Sequence, residues 1–430
     1  MTAVVRAALA AAEAGGLVRR ALVVADIERA LRAAQAVDVV AVGKAAGPML
    51  HAAVDVGAKM TLRHVMGVSA RLPQVVPAGA MWHTAAHPVP DDRSVAAARA
   101  VLEVARGAND RDLLLLLLSG GASALMALPA DGISLGDKQR TSERLLREGA
   151  EIHALNAVRK HLSAIKGGRL AVAAGGQLLT LAVSDVVGDE LSAIGSGPSV
   201  PDATTFADAL MELDRHGGRD HYPAAVVARF IAGVSGAISE TPKAGDPRLW
   251  RSAARVIGGA QTALDGARAE AQSRGYAVHV IEESVMGEAR LASKGLVEAA
   301  SRIAKTRSAQ VCILAAGEMT VRVMGTGKGG RNQECALAMA RELDALGPAA
   351  VAASIGTDGV DGPTDAAGGV VDTTTLARAE AAGLGPLERY LEDNNSYVLL
   401  DALGDLIRTG PTNTNVGDLQ VILVGGRGRE

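Results

Sequence analysis

This sequence predicts an α/β protein of two domains, and three observations point that way. Its 430 residues exceed what one hydrophobic core usually serves. Short β-branched or leucine-rich runs alternate with alanine-rich stretches of helical length, the pattern of a parallel sheet covered by helices. Between Gly233 and Leu249 that alternation stops in a run of Ser, Gly, Pro and charge (SGAISETPKAGDPR), and a fresh alternation follows. The boundary predicts a first domain over 1–240 and a second over 250–430.

The elements follow in order. Met1 to Leu22 carries Glu13 and a double glycine and lacks an apolar stretch with a cleavage site, so it reads as an amphipathic helix and not a signal peptide. Val37–Val42 (VDVVAV) is a strand ending at Gly43, with a helix from about Ala45 to Val56 behind it. The six leucines Leu113–Leu118 suit a central strand covered on both faces. Leu178–Val183, Ala277–Ile281, Gln310–Ala315, Val351–Ser354 and Val421–Val424 are the further strands, and Gly425–Glu430 reads as a frayed tail.

Composition removes several classes of function. Aromatic residues are only 2%, so the cores must be built from Ala, Val, Leu and Ile. A net charge of −3 without basic clusters argues against a nucleic-acid partner. Two cysteines, Cys312 and Cys335, make neither a disulfide framework nor a metal-ligand spacing, which fits a reducing, cytoplasmic setting. The longest apolar run is far too short to span a bilayer, so no membrane role is expected. A homodimer is one option that the sequence leaves open.

The glycines carry the chemistry, because dense groups of them fall just past strand ends. Ligands of open α/β sheets bind there, and glycine lets backbone N–H groups approach a phosphate. Ser119-Gly120-Gly121-Ala122-Ser123 follows the leucine strand and suits an anion nest; a tight turn with a helix cap is the competing reading. Gly325–Glu334 (GTGKGGRNQE) sets Lys328 and Arg331 among Gly327, Gly329 and Gly330 before a helix expected over Gln333 to Leu343. Lys44, between Gly43 and Gly47, can reach a transferring phosphate as a point charge.

Two further groups, Ser184–Glu190 and Gly356–Asp365, set aspartates beside glycines. Asp185, Asp358 and Asp361 are candidate metal ligands, and Asp189 or Asp185 is a candidate proton acceptor; Asx-turn caps are the alternative. On a helix expected over Asn156–Leu170, Arg159, Ser163 and Lys166 fall at i, i+4 and i+7, where they can bind carboxylate or phosphate or form a solvated face. Neither a G-x-x-x-x-G-K-[ST] loop nor a G-x-G-x-x-G after the first strand occurs, which excludes an ordinary P-loop enzyme or Rossmann dehydrogenase.

These motifs together resemble the glycerate 2-kinase family with its C-terminal MOFRL domain, whose members are often labelled hydroxypyruvate reductase. The matching pieces are VAVGKAAGPM at Val40, HPVPD at His87, LLSGGASALM at Leu117, LNAVRKHLSAIKGGRLA at Leu155 and SDVVGDELSAIGSGPSVPD at Ser184. GKGGRNQECALA at Gly327, GTDGVDGPTDAAGGVVD at Gly356 and LGDLIRTGPTNTNVGDL at Leu403 complete them.

The resemblance implies two unlike three-layer α/β/α domains, the first Rossmann-like, with the active site in the inter-domain cleft. It implies D-glycerate, ATP and Mg²⁺, with Lys44 and Arg331 as the catalytic cations. Cys335, Ser199, Asn394-Asn395-Ser396-Tyr397 and the Thr412–Asp418 segment depart from the family pattern without touching that pair.

Two rival functions are an NAD(P)H-dependent hydroxypyruvate reductase and a ligand sensor on the same scaffold. The first needs a dinucleotide fingerprint that the sequence lacks. Loss of the Lys44 and Arg331 charges would favour the second, and both are present.

Overall fold

The computed structural model describes residues 1–57, 60–305, 309–347 and 349–425, so the tail beyond Gly425 lies outside the described residues. Two compact units emerge: Ala14–Ser184 with Gly188–Ile257, and Met1–Glu13 with Asp185–Val187 and the residues from Gly258 on.

The sheet of the first of these units has six strands: β1 (Val37–Val42), β2 (Leu62–Ser69), β3 (Met81–Thr84), β4 (Leu113–Leu118), β5 (Gln177–Val183) and β6 (Ser252–Gly258). They lie in the order β3-β2-β1-β4-β5-β6, the doubly wound order whose direction of winding reverses between β1 and β4. The pairs from β3 through β5 are parallel. Every residue of β1 and β4 is buried, as expected of strands covered on both faces. The expected linker does not end this unit. Ser252–Gly258 comes after it and adds β6 to the edge of the first sheet beside β5, moving the division to Ile257.

In the other unit the strands are β7 (Ala277–Val280), β8 (Val285–Glu288), β9 (Val311–Thr320), β10 (Ala350–Gly356), β11 (Gly368–Asp372), β12 (Leu406–Ile407) and β13 (Asp418–Val424). Their order is β12-β11-β10-β13-β9-β7, with β8 also on β9. This sheet is mixed, not parallel as the alternation suggested. β10 runs antiparallel to β11 and β13, and β13 antiparallel to β9, while β7 and β8 run parallel to β9. The link from β10 to β11 holds no helix, so those two strands turn back on each other instead of crossing over.

The N-terminal stretch is two helices, Thr2–Ala11 and Ala14–Leu22, where one was expected. The first packs on Ala260–Ser273 so closely that a Cβ on Gly266 would lie 2.5 Å from the Ala11 Cβ. The second packs on Ala46–Val56. Each half buries its own apolar face, and the chain breaks where the two faces part.

Candidate active site

The reversal point between β1 and β4 is tied together by its backbone. Lys44 N–H donates to the Gly120 carbonyl at 2.9 Å, and Ala45 N–H donates to Ser119 Oγ at 3.1 Å. Gly43 sits at φ +135, and a Cβ there would lie 2.1 Å from Ser119 Oγ, so only glycine fits. The first and third glycine groups thus form one structure. Ser119 is fully buried and braces it, instead of facing a ligand as the nest reading expected. Ser123 Oγ lies 2.6 Å from Ser196 Oγ, which donates to Asn156 Oδ1 at 3.1 Å.

Beside this turn opens a cavity of about 400 Å³, lined among others by His87, Gly121, Ser123, Lys138, Arg159 and Lys166. Lys44 is exposed and lies beside Gly121, one of the lining residues: a Cβ on Gly121 would stand 3.6 Å from Lys44 Cγ and 3.0 Å from the His87 ring. Arg159 and Lys166 do converge, but not along one helix. The helix spans Ile152–His161, so Ser163 and Lys166 lie beyond its end, and Lys166 returns to the cavity through the loop before Arg169–Ala173. Lys166 Nζ donates to the Gly195 carbonyl at 2.8 Å, and Arg159 Nε to Ser142 Oγ at 3.4 Å.

Sequence reasoning missed Lys138. It lies on the buried face of Leu135–Arg147 with Thr141 and Leu145, so a lysine at apolar-face spacing was the available signal. Burial, with Arg159, Arg169 and Arg229 nearby, pushes its ammonium down to about 7. Burial likewise sets Lys166 well below the ordinary lysine value, helped by Lys138 and Arg159. Burial alone brings Arg159 down to about 10. Asp189, the expected proton acceptor, is half-buried at φ 54 after β5, outside the residues that line this cavity.

In the other unit Arg331 opens the helix Arg331–Met339, two residues earlier than expected. Its Nε lies 2.9 Å from Asp418 and its Nη1 3.3 Å from Glu318. Asp361 caps that helix, accepting from Asn332 N–H at 3.1 Å and Gln333 N–H at 2.8 Å, and burial pushes its carboxyl up to about 6. The glycine loop before it is not an open nest along its whole length. Met324 and Gly325 N–H donate to Asn394 Oδ1, Thr326 N–H to Asp393 Oδ1, Gly327 N–H to the Asp393 carbonyl and Lys328 N–H to Asn395 Oδ1.

The Lys328 ammonium lies 4.0 Å above the Tyr397 ring. A Cβ on Gly327 would meet Asn395 at 2.4 Å, so that glycine admits the neighbouring segment and its N–H is spent. The N–H groups of Gly329, Gly330 and Arg331 have no acceptor among the described residues.

The three expected metal ligands do not assemble. Asp361 is a helix cap, Asp358 accepts from Val360 N–H at 3.1 Å in an Asx turn, and Asp185 accepts from Asn415 Nδ2 at 2.7 Å. Among the described residues no group of three or more His, Cys, Asp or Glu could hold a metal ion. Cys312 and Cys335 are both buried free thiols, pushed up to about 12 by burial. No described helix is long and apolar enough to cross a membrane.

A doubly wound sheet with a lysine at its winding reversal and a cation-lined cavity of ligand size beside it defines the class as an α/β protein with a candidate small-molecule site. A family model described as "Domain of unknown function (DUF4147)" matches residues 1–231, and one described as "MOFRL family" matches 311–418. "Glycerate 2-kinase" of Pyrococcus horikoshii is 37% identical over 395 residues, which is 90% of this chain and 87% of that protein. "Putative hydroxypyruvate reductase" of Agrobacterium vitis is 39% identical over the same shares. The crystal structure of a glycerate kinase from Thermotoga maritima superposes with a TM-score of 0.84 at 36% identity, covering 98% of this chain and 97% of that one. The chain belongs to the glycerate 2-kinase family with a C-terminal MOFRL domain.

Proposed function

We propose that this protein transfers the γ-phosphoryl group of ATP to D-glycerate, giving 2-phosphoglycerate. The observation that carries this reading is Lys44, standing beside Gly121, which lines a cavity together with Lys138, Arg159 and Lys166. The names of the relatives support the substrate pair. Lys44 and Arg331 offset the charge that develops on the phosphoryl oxygens, the main source of rate in phosphoryl transfer. The N–H groups of Gly329, Gly330 and Arg331, at the start of a helix, suit phosphate oxygens. Asp189 is the proposed acceptor of the hydroxyl proton.

The aspartates expected to hold Mg²⁺ are committed elsewhere, so a three-carboxylate cage does not fit this chain. A divalent ion would arrive on the phosphates of ATP, as Mg²⁺ usually does, and no step here depends on a protein-held one. A cytoplasmic location is proposed on the two free thiols.

The test is ADP release from ATP with D-glycerate, run beside NADH loss with hydroxypyruvate. Phosphorus NMR of the product distinguishes the 2- from the 3-phosphate. NADH loss without ADP release would replace the kinase by the reductase.

A further inference from the structure

Three cations face the cavity beside Lys44, and none has a carboxylate partner among the described residues. Lys138 and Lys166 are 6% and 1% exposed. An ammonium has three N–H bonds to give. Lys166 uses one on the Gly195 carbonyl, and Lys138 reaches the Leu162 carbonyl at a long 3.4 Å. Their other N–H bonds, and the guanidinium ends of Arg159, meet no acceptor among the described residues.

The contrast within the same unit is Lys160, equally buried but 3.1 Å from the Asp202 carboxylate. Glu143 also lines the cavity, yet its carboxylate pairs with Arg147 at 2.8 Å. Buried cations are ordinarily paired, so this pocket is built to be completed by an anion that the chain does not supply.

We propose that the pocket formed by Lys138, Arg159 and Lys166 binds the carboxylate of the hydroxy-acid substrate, with Lys138 as a substrate-binding residue. This assignment rests on the kinase reading and adds the subsite. The volume of about 400 Å³ is at the low end for ligand sites, which suits a three-carbon acid better than a nucleotide. A carboxylate held there leaves the adjoining hydroxyl within the same cavity, one wall of which is Gly121 beside Lys44.

The charges facing Lys138 are Arg159 from Ile152–His161, Lys166 and Arg169 from the segment beyond it, and Arg229 from Ala224–Val234. Arg159, Arg169 and Arg229 are cationic, so an incoming carboxylate favours protonation of Lys138 and binding draws a proton from solution.

Two experiments read this. Lys138→Met should raise KM for D-glycerate about tenfold or more and leave KM for ATP within about twofold, with Lys138→Arg recovering part of the loss. Calorimetry of the unaltered protein near pH 8, in HEPES and in Tris, should show uptake approaching about one proton per D-glycerate bound and none with glycerol. A raised KM for ATP with glycerate unaffected would assign the pocket to nucleotide phosphate and overturn the proposal. An unchanged KM for glycerate in a folded variant overturns it as well. Should Lys138→Met fail to fold, Lys138→Gln and Lys138→Arg, read for both KM values, decide in its place. No turnover of glycerate by the unaltered protein would instead refute the kinase reading, which separates the two failures.

Discussion

Asp418 Oδ2 lies 2.9 Å from Arg331 Nε, although the Asp418 side chain is wholly shielded from solvent and the arginine is a third exposed. The same carboxylate also receives Asn332 Nδ2 at 2.8 Å and Met319 N–H at 3.1 Å. It therefore fixes the direction of the guanidinium from a rigid base at the start of β13. Asp418→Asn keeps the shape and loses the charge. We expect kcat to fall about tenfold to a hundredfold from misplacement of Arg331, and stability to fall by about 1–3 kcal/mol. Steady-state kinetics and denaturant melts measure the two, and an unchanged kcat in a folded variant would remove Asp418 from any orienting role.

On the proposed roles of Lys44 and Arg331 in offsetting phosphoryl charge, Lys44→Ala and Arg331→Ala should both lower kcat by about a hundredfold to a thousandfold. Their stabilities should part company. Lys44 is exposed, so its loss should cost within about 0.5 kcal/mol. Removing Arg331 strands the buried Asp418 carboxylate and should cost several times more. Thermal melts beside the kinetics check both halves, and wild-type turnover by either folded variant refutes the assignment of that cation.

Gly43→Ala should be destabilised by about 1–3 kcal/mol and lose most activity, because φ +135 strains any side chain and the new methyl meets Ser119 Oγ at 2.1 Å. Gly107 makes the control. It ends the helix Asp92–Gly107 with nothing within 4 Å of an added Cβ, so Gly107→Ala should be neutral or stabilise by up to about 1 kcal/mol. Equal melting temperatures for the two variants would show that the turn does not need its glycine.

What the sequence made legible follows from what each feature depends on. Val37–Val42 and Leu113–Leu118 are read to the residue, because a fully buried strand declares itself in a continuous apolar run. The antiparallel pairing of β10 with β11 and β13 was hidden, because strand direction is set by how connections pack and not by the composition of the strand. The glycine groups at Gly43 and Ser119 marked tight turns at the ends of β1 and β4, but not that the two would be tied together with Ser119 as the brace.

The loop at 325–328 was over-read. Its glycines answer the approach of residues 393–395, a contact between segments far apart in the chain. Lys138 is harder to read for the opposite reason: its spacing to Thr141 and Leu145 puts it on the inner face, but the helix around it is mostly polar, so that face is faint in the sequence.

That burial makes Lys138 a liability for the empty protein, and the sign of its pH dependence can be worked out. Its ammonium has a folded value of about 7 against 10.5 for a free lysine, so the unfolded chain binds the proton more tightly. Stability then rises with pH across that window, and the cost of the buried charge is largest below about 7. Lys138→Met removes the charge while keeping an unbranched side chain of similar length. The variant should melt higher than the unaltered protein near pH 6, and the gap should narrow steadily as pH climbs from about 7 toward 10.5. Saturating D-glycerate should close much of the gap near pH 6 by stabilising only the lysine form, because a ligand stabilises the state that binds it. Melting curves of both proteins across this range, with and without D-glycerate, measure all three effects. A variant that melts lower at every pH would mean that the Lys138 side chain contributes packing that outweighs its unpaired charge.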